Sequence, residues 1–124
     1  MAKIERFEDI KAWDMARGLV ATVYRLSGTG NFSQDFGLKD QVRRASISVM
    51  SNIAEGFERG SRAEFARFLK IAKASCGEVR SQLYVALDLN YVNRQEFVAA
   101  KTKAEDVSKA LAAFIRYLTR EHAK

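Results

Sequence analysis

The chain has no proline, one cysteine and one histidine in 124 residues. A proline inside a helix costs about 3 kcal/mol, so nothing of that kind interrupts long helices here. Cys76 has no second cysteine to pair with, which excludes an internal disulfide framework and points to a reducing, cytoplasmic setting. His122 lies near the chain end, where ends fray, and one histidine with one cysteine makes no soft ligand set for zinc. Nor do these two build a Ser/His/Asp or Cys/His arrangement. Neither GxGxxG nor GxxxxGK[ST] occurs, so the phosphate-cradling glycine loops are missing. The longest stretch without a charge runs only from Ala45 to Ala54, far short of the roughly 20 residues that span a bilayer. The opening MAKIERFEDIK has no apolar run of the kind a secretory signal needs. These absences lead to the expectation of a cytoplasmic, non-enzymatic protein with no metal, no cofactor and no membrane partner.

What is present is a core-forming composition and an excess of positive charge. Hydrophobic residues make up 48% of the chain, enough to fold as one domain. The net charge is +6, from 21 Lys plus Arg against 15 Asp plus Glu. Residues 1–40 are balanced, with six of each sign, whereas residues 41–80 carry eight basic and four acidic side chains. The excess thus lies in the later part of the chain. An anionic partner is the simplest class it fits.

Three punctuation points, at residues 27–31, 58–61 and 90–93, divide the chain into four segments of helical period. The predicted helices cover about 9–26, 37–57, 62–89 and 94–120. Ser61 with Glu64, and Asn93 with Glu96, have capping-box spacing at the starts of the third and fourth. Behind Ser61, Phe65, Phe68, Leu69, Ala72, Cys76, Val79 and Leu83 recur in steps that place them within an arc of about 100°. Phe97, Ala100, Ala104, Val107, Leu111, Phe114 and Leu118 do the same in the fourth segment. Trp13, Tyr24, the phenylalanines and Cys76 read as core. Short connections predict an all-α, up-down-up-down antiparallel four-helix bundle.

The second helix departs from one stripe per helix. Leu38, Val42, Ala45, Val49 and Ile53 form one apolar face, and Ile47, Met50, Ala54 and Phe57 form another, more than about 100° away. Either the 28–36 loop covers this second stripe, or another subunit does. The second alternative predicts a homo-oligomer.

Residues 42–56, VRRASISVMSNIAEG, with Ser61, Glu64-Phe65, Phe68-Leu69, Ala72, Ser75, Glu78 and Gln82-Leu83 beyond them, resemble the family of 23S rRNA intervening-sequence proteins. The resemblance runs from about Phe7 to Leu118. Family members often have proline where this chain has Met50 and Ser33. The resemblance implies a four-helix bundle that assembles as a ring-shaped pentamer. It also implies kinship with accessory bundle proteins of diversity-generating retroelements, which bind nucleic acid and a reverse transcriptase.

Three groups of residues are candidates for function. Glu55 could serve as a general acid, but Arg59 one turn later fits a structural ion pair better. Asn52, Ser48, Ser75 and Glu78 are polar positions on or beside the apolar stripes. If the chain turns at about residue 59, Arg43 and Arg44 lie opposite Ser75 and within reach of Glu78, forming a network that fixes register. The basic residues form rows: Arg62, Lys70, Lys73 and Arg80 on the third helix, and Lys101, Lys109, Arg116 and Arg120 on the fourth. Such rows suit a phosphate backbone, and they also suit a solvated bundle face. The expected partners are therefore RNA or DNA, bound with little sequence preference, and further copies of the chain. The competing expectation is an oligomeric protein-interaction scaffold with no nucleic-acid role.

Overall fold

The computed structural model describes residues 4–122. Four helices carry the fold: α1 (Lys11–Ser27), α2 (Phe36–Glu58), α3 (Arg62–Asp88) and α4 (Arg94–His122). Two short 3-10 turns, Phe7–Asp9 and Gly30–Gln34, precede α1 and α2. The His122 side chain lies outside the described residues.

The helix ends follow from local chemistry. Asp35 caps α2, its carboxylate accepting from the Leu38 amide at 3.1 Å. Asn93 and Glu96 form a reciprocal box on α4: each side chain accepts from the other's amide, at 2.7 and 2.9 Å. On α3 only half of the expected box forms. Ser61 Oγ accepts from the Glu64 amide at 3.1 Å, but the Glu64 carboxylate turns forward to Arg67, at 2.9 and 3.2 Å. A forked guanidinium is the stronger partner for a carboxylate, which explains the departure. Asn90, at φ +61°, closes α3 in the left-handed conformation. The Tyr91 amide donates to the Ala86 carbonyl and the Asn90 amide to the Leu87 carbonyl, satisfying two end groups of α3.

The helices are antiparallel neighbours in chain order, with α4 returning to α1. Ser48 meets Ser75 between α2 and α3, and Gly56 meets Phe68. Tyr84 packs on Phe97 and Phe65 on Phe114 between α3 and α4, with ring centroids 4.8 and 5.1 Å apart. The core has two halves along the axis. One centres on Leu19, Val23, Phe32, Val42, Val79 and Leu83, the other on Ile10, Ala16, Ile53, Leu69, Cys76 and Leu111.

Two expectations are corrected at this level. First, Ser75 faces Ser48 rather than Arg43, a displacement of about 7.5 Å along the helix at 1.5 Å per residue. The corner turns nearer Ser61 than Arg59, because α2 runs on to Glu58 and Gly60 makes the bend at φ +83°. Second, the 28–36 loop does not cover the second stripe of α2. Its Phe32 plugs the core and stacks on Tyr91 at 5.4 Å. Met50 and Phe57 are half-buried against the other half of the core, and the first 3-10 turn packs on both α1 and α2. Ile47 stays 41% exposed.

Candidate nucleic-acid interface

Helix α3 has two edges, and they differ in chemistry. The edge toward α2 is closed. A Cβ added at Gly56 would lie 2.6 Å from Phe68 Cβ, so no larger residue fits without the helices moving apart. Above this contact Ser48 and Ser75 share a hydrogen bond of 2.9 Å, and Asn52 Nδ2 donates to the Ser48 carbonyl and hydroxyl at 2.8 and 3.0 Å.

The edge toward α4 is open and basic. At 100° per residue, Arg62, Lys73 and Arg80 share one line along α3 to within about 20°, with Lys70 on its solvent side. Across the seam, Lys101 lies on the matching edge of α4, and Lys109, Arg116 and Arg120 flank it on the solvent side within about 100°. A cavity of about 430 Å³ opens at one end, between Arg62, Ala66, Lys70 and Leu118. A notch of about 520 Å³ opens at the other, between Gly77, Arg80, Ser81, Tyr84, Lys101 and Glu105. From Arg62 to Arg80 the seam is roughly 27 Å long.

The basic residues along it are unequally engaged. Arg62 rests over the Tyr117 ring, 5.3 Å from its centroid. Lys101 pairs with Glu105 at 3.1 Å. Lys70, Lys73, Lys109, Arg116 and Arg120 are exposed. Arg80 is half-buried, and its Nε is shut off from water with no hydrogen-bond partner among the described residues. A buried donor left unpaired costs about 1–3 kcal/mol, so this side chain holds unspent binding capacity.

The residues expected to form one structural network do not stay together. Arg43 turns to α1 instead of Glu78: its Nε donates to Ser27 Oγ at 2.8 Å, its Nη2 donates to the Tyr24 carbonyl at 3.3 Å, and its guanidinium lies 4.2 Å from the Tyr24 ring centroid. It thereby places a cation on the carbonyl end of α1, where the helix dipole favours one. Arg44 pairs with Asp40 at 2.8 Å on the surface. Glu55 pairs with Arg59 at 2.9 Å, and Arg59 also reaches Glu64 at 3.7 Å, tying the α2–α3 corner. The Arg67 hydrogen bond holds the Glu64 carboxyl below its ordinary range. Glu78 is exposed and joins neither Arg43 nor Arg44.

Sequence reasoning missed the Asp35–Tyr91 pair. Tyr91 donates its hydroxyl to Asp35 Oδ2 at 2.9 Å, linking the two long-range loops at one end of the bundle. That hydrogen bond raises the Tyr91 pKa above its ordinary value. Asp35 is legible as a cap, but no spacing rule connects it with a residue so far along the chain. Burial pushes the Cys76 thiol up to about 11, which makes it a poor nucleophile at neutral pH. Among the described residues no group of three or more His, Cys, Asp or Glu could hold a metal ion, and no helix is long and apolar enough to cross a membrane.

No curated protein matches the chain. A protein of unknown function of the S23 ribosomal protein family from Bacteroides thetaiotaomicron, whose crystal structure is known at 1.70 Å, superimposes with a TM-score of 0.77. The two are 22% identical over 85% of this chain and 98% of that one, a likeness of fold. The sequence pattern of the 23S rRNA-intervening sequence protein family matches residues 8–113, and this chain belongs to that family.

Proposed function

We propose that this chain is a non-enzymatic, oligomeric bundle that binds RNA or DNA through the α3–α4 seam, with little sequence preference. The observation that carries this reading is the row of Arg62, Lys73 and Arg80 on the α4 edge of α3, facing Lys101 across the seam, with Lys70, Lys109, Arg116 and Arg120 on the adjoining exposed surface. Among the described residues Glu105 is the one carboxylate lining the two cavities there, and Lys101 pairs with it. A backbone with one phosphate per 3.4 Å of strand would present about eight phosphates along the roughly 27 Å from Arg62 to Arg80. Contacts to phosphate carry no base code, so the binding is sequence-tolerant.

Assembly uses a different surface. Phe36 and Tyr24, both expected in the core, are instead 69% and 38% exposed, and with Ile47 they line a shallow pocket surrounded by Lys39, Asp40, Arg43 and Arg44. An exposed apolar patch with a polar rim fits a second copy of the chain. The face lies across the bundle from α4, so a ring built on it, five-membered as the family resemblance implies, leaves every basic seam free. The same patch supports a second reading, in which the oligomer is a scaffold for another protein and its charge serves solubility.

The double variant Lys109→Glu with Arg116→Glu tests the first reading. Both positions are exposed and away from the core, so the helical signal and melting temperature should be unchanged. Retention of RNA and duplex DNA at low salt should be lost. Unchanged retention with intact folding would remove Lys109 and Arg116 from the interface.

A further inference from the structure

The notch at the Gly77–Tyr84 end of the seam differs from the rest of the basic surface, because it is built rather than merely charged. The Arg80 guanidinium lies alongside Gly77, its Nη2 4.0 Å from where a Cβ would stand, an ordinary contact distance. Tyr84 is 48% exposed, yet its ring is held edge-on against buried Phe97. Ser81 adds an exposed hydroxyl, and Lys101 reaches in from α4, where Glu105 holds it. One cation in the notch thus has an acidic partner and the other has an unpaired Nε.

We propose that this notch is a phosphoryl-binding site, with Arg80 as its principal ligand and Ser81, Tyr84 and Lys101 completing the donor set. In the free protein the Arg80 Nε is closed off without a partner. Rotation of the side chain outward offers Nε and an Nη together to two phosphoryl oxygens, the forked geometry guanidinium favours. Binding thus gives that Nε a partner which its resting position denies it. Glu105 opposes the anion by repulsion and by holding Lys101. The inference deepens the nucleic-acid reading where the phosphate belongs to a strand, and stands apart from it where the phosphate is free.

Two measurements on the full chain separate these sources. In the first, inorganic phosphate is titrated while the backbone amide resonances of Ser81, Tyr84 and Lys101 are followed, with Lys109 as reference. In the second, a fluorescent single-stranded RNA is titrated with the wild type, Arg80→Gln, Glu105→Gln and the exposed control Lys103→Gln. Phosphate should shift the notch amides ahead of Lys109, and Arg80→Gln should abolish the difference. In the RNA series Arg80→Gln should weaken binding about tenfold and flatten the salt slope by about 0.7, the value of one phosphate on a single strand. Glu105→Gln should tighten binding about threefold, an effect opposite in sign to any loss of folding, and should exceed that of Lys103→Gln.

Notch shifts with no RNA binding would keep the site, assign it to free phosphate and overturn the nucleic-acid reading. RNA binding that Arg80→Gln leaves unchanged, with no notch shifts, would overturn the site and keep that reading. Silence in both measurements would overturn both.

Discussion

The two edges of α3 show how one helix divides its work. Toward α2 the contacts are short, neutral and interlocked, with Gly56 against Phe68 and Ser48 against Ser75. Toward α4 the buried stripe is just as apolar, but its outer margin opens into cavities lined by Arg62, Lys70, Arg80 and Lys101. Close packing at the first edge leaves no room for a ligand, whereas the margin of the second opens into the two cavities. The α2–α3 edge is thus closed to a ligand, and the binding we propose falls on the α3–α4 edge.

Substitutions should divide along the same line. The largest stability effect belongs to the closed edge: Gly56→Val should destabilise by about 3 kcal/mol, the upper end of the range for overpacking, measured by urea unfolding. A loss below about 1 kcal/mol would mean that the α2–α3 contact yields easily. Next, Ile47→Glu should dissociate the oligomer we propose, read as mass by light scattering, without altering the helical signal. An unaltered mass would place the assembly surface elsewhere. Arg43→Ala removes two hydrogen bonds and a cation from the end of α1 and should cost about 1–2 kcal/mol, with faster amide exchange in the last turn of α1.

The smallest effect concerns Tyr91. Its folded pKa is raised above the ordinary value of 10.0, so the stability it contributes is complete below pH 10 and disappears as pH rises through the folded pKa. Tyr91→Phe should flatten the alkaline decline of the melting temperature and leave nucleic-acid binding unchanged. A decline as steep as the wild type's would assign it to another group.

How legible these edges were in the sequence differs in the same way. The apolar stripes of α3 and α4 repeat at helical period, and Ser61, Asn93 and Glu96 mark the helix starts. The bundle therefore followed from local spacing and caps. The register of α2 on α3 did not, because it depends on where the corner turns, and a shift of that pivot by two or three residues moves every facing pair by about five. That is how Arg43 came to be expected opposite Ser75, when it reaches Ser27 and Tyr24 instead. The basic rows were visible as helical faces. That the α3 row meets Lys101 depends on which edge of α3 faces α4, and the notch depends on Arg80 and Lys101 coming together from two helices.

The central claim is that the seam binds phosphate. The most direct test is an electrophoretic shift series over salt, with structured RNA and duplex DNA, on protein whose mass has been established by light scattering. Binding at low salt should weaken linearly in log K against log salt, with a slope of about −0.9 per phosphate contacted on duplex DNA. An oligomer that shifts neither nucleic acid at any salt concentration would contradict the account and leave the scaffold reading in its place.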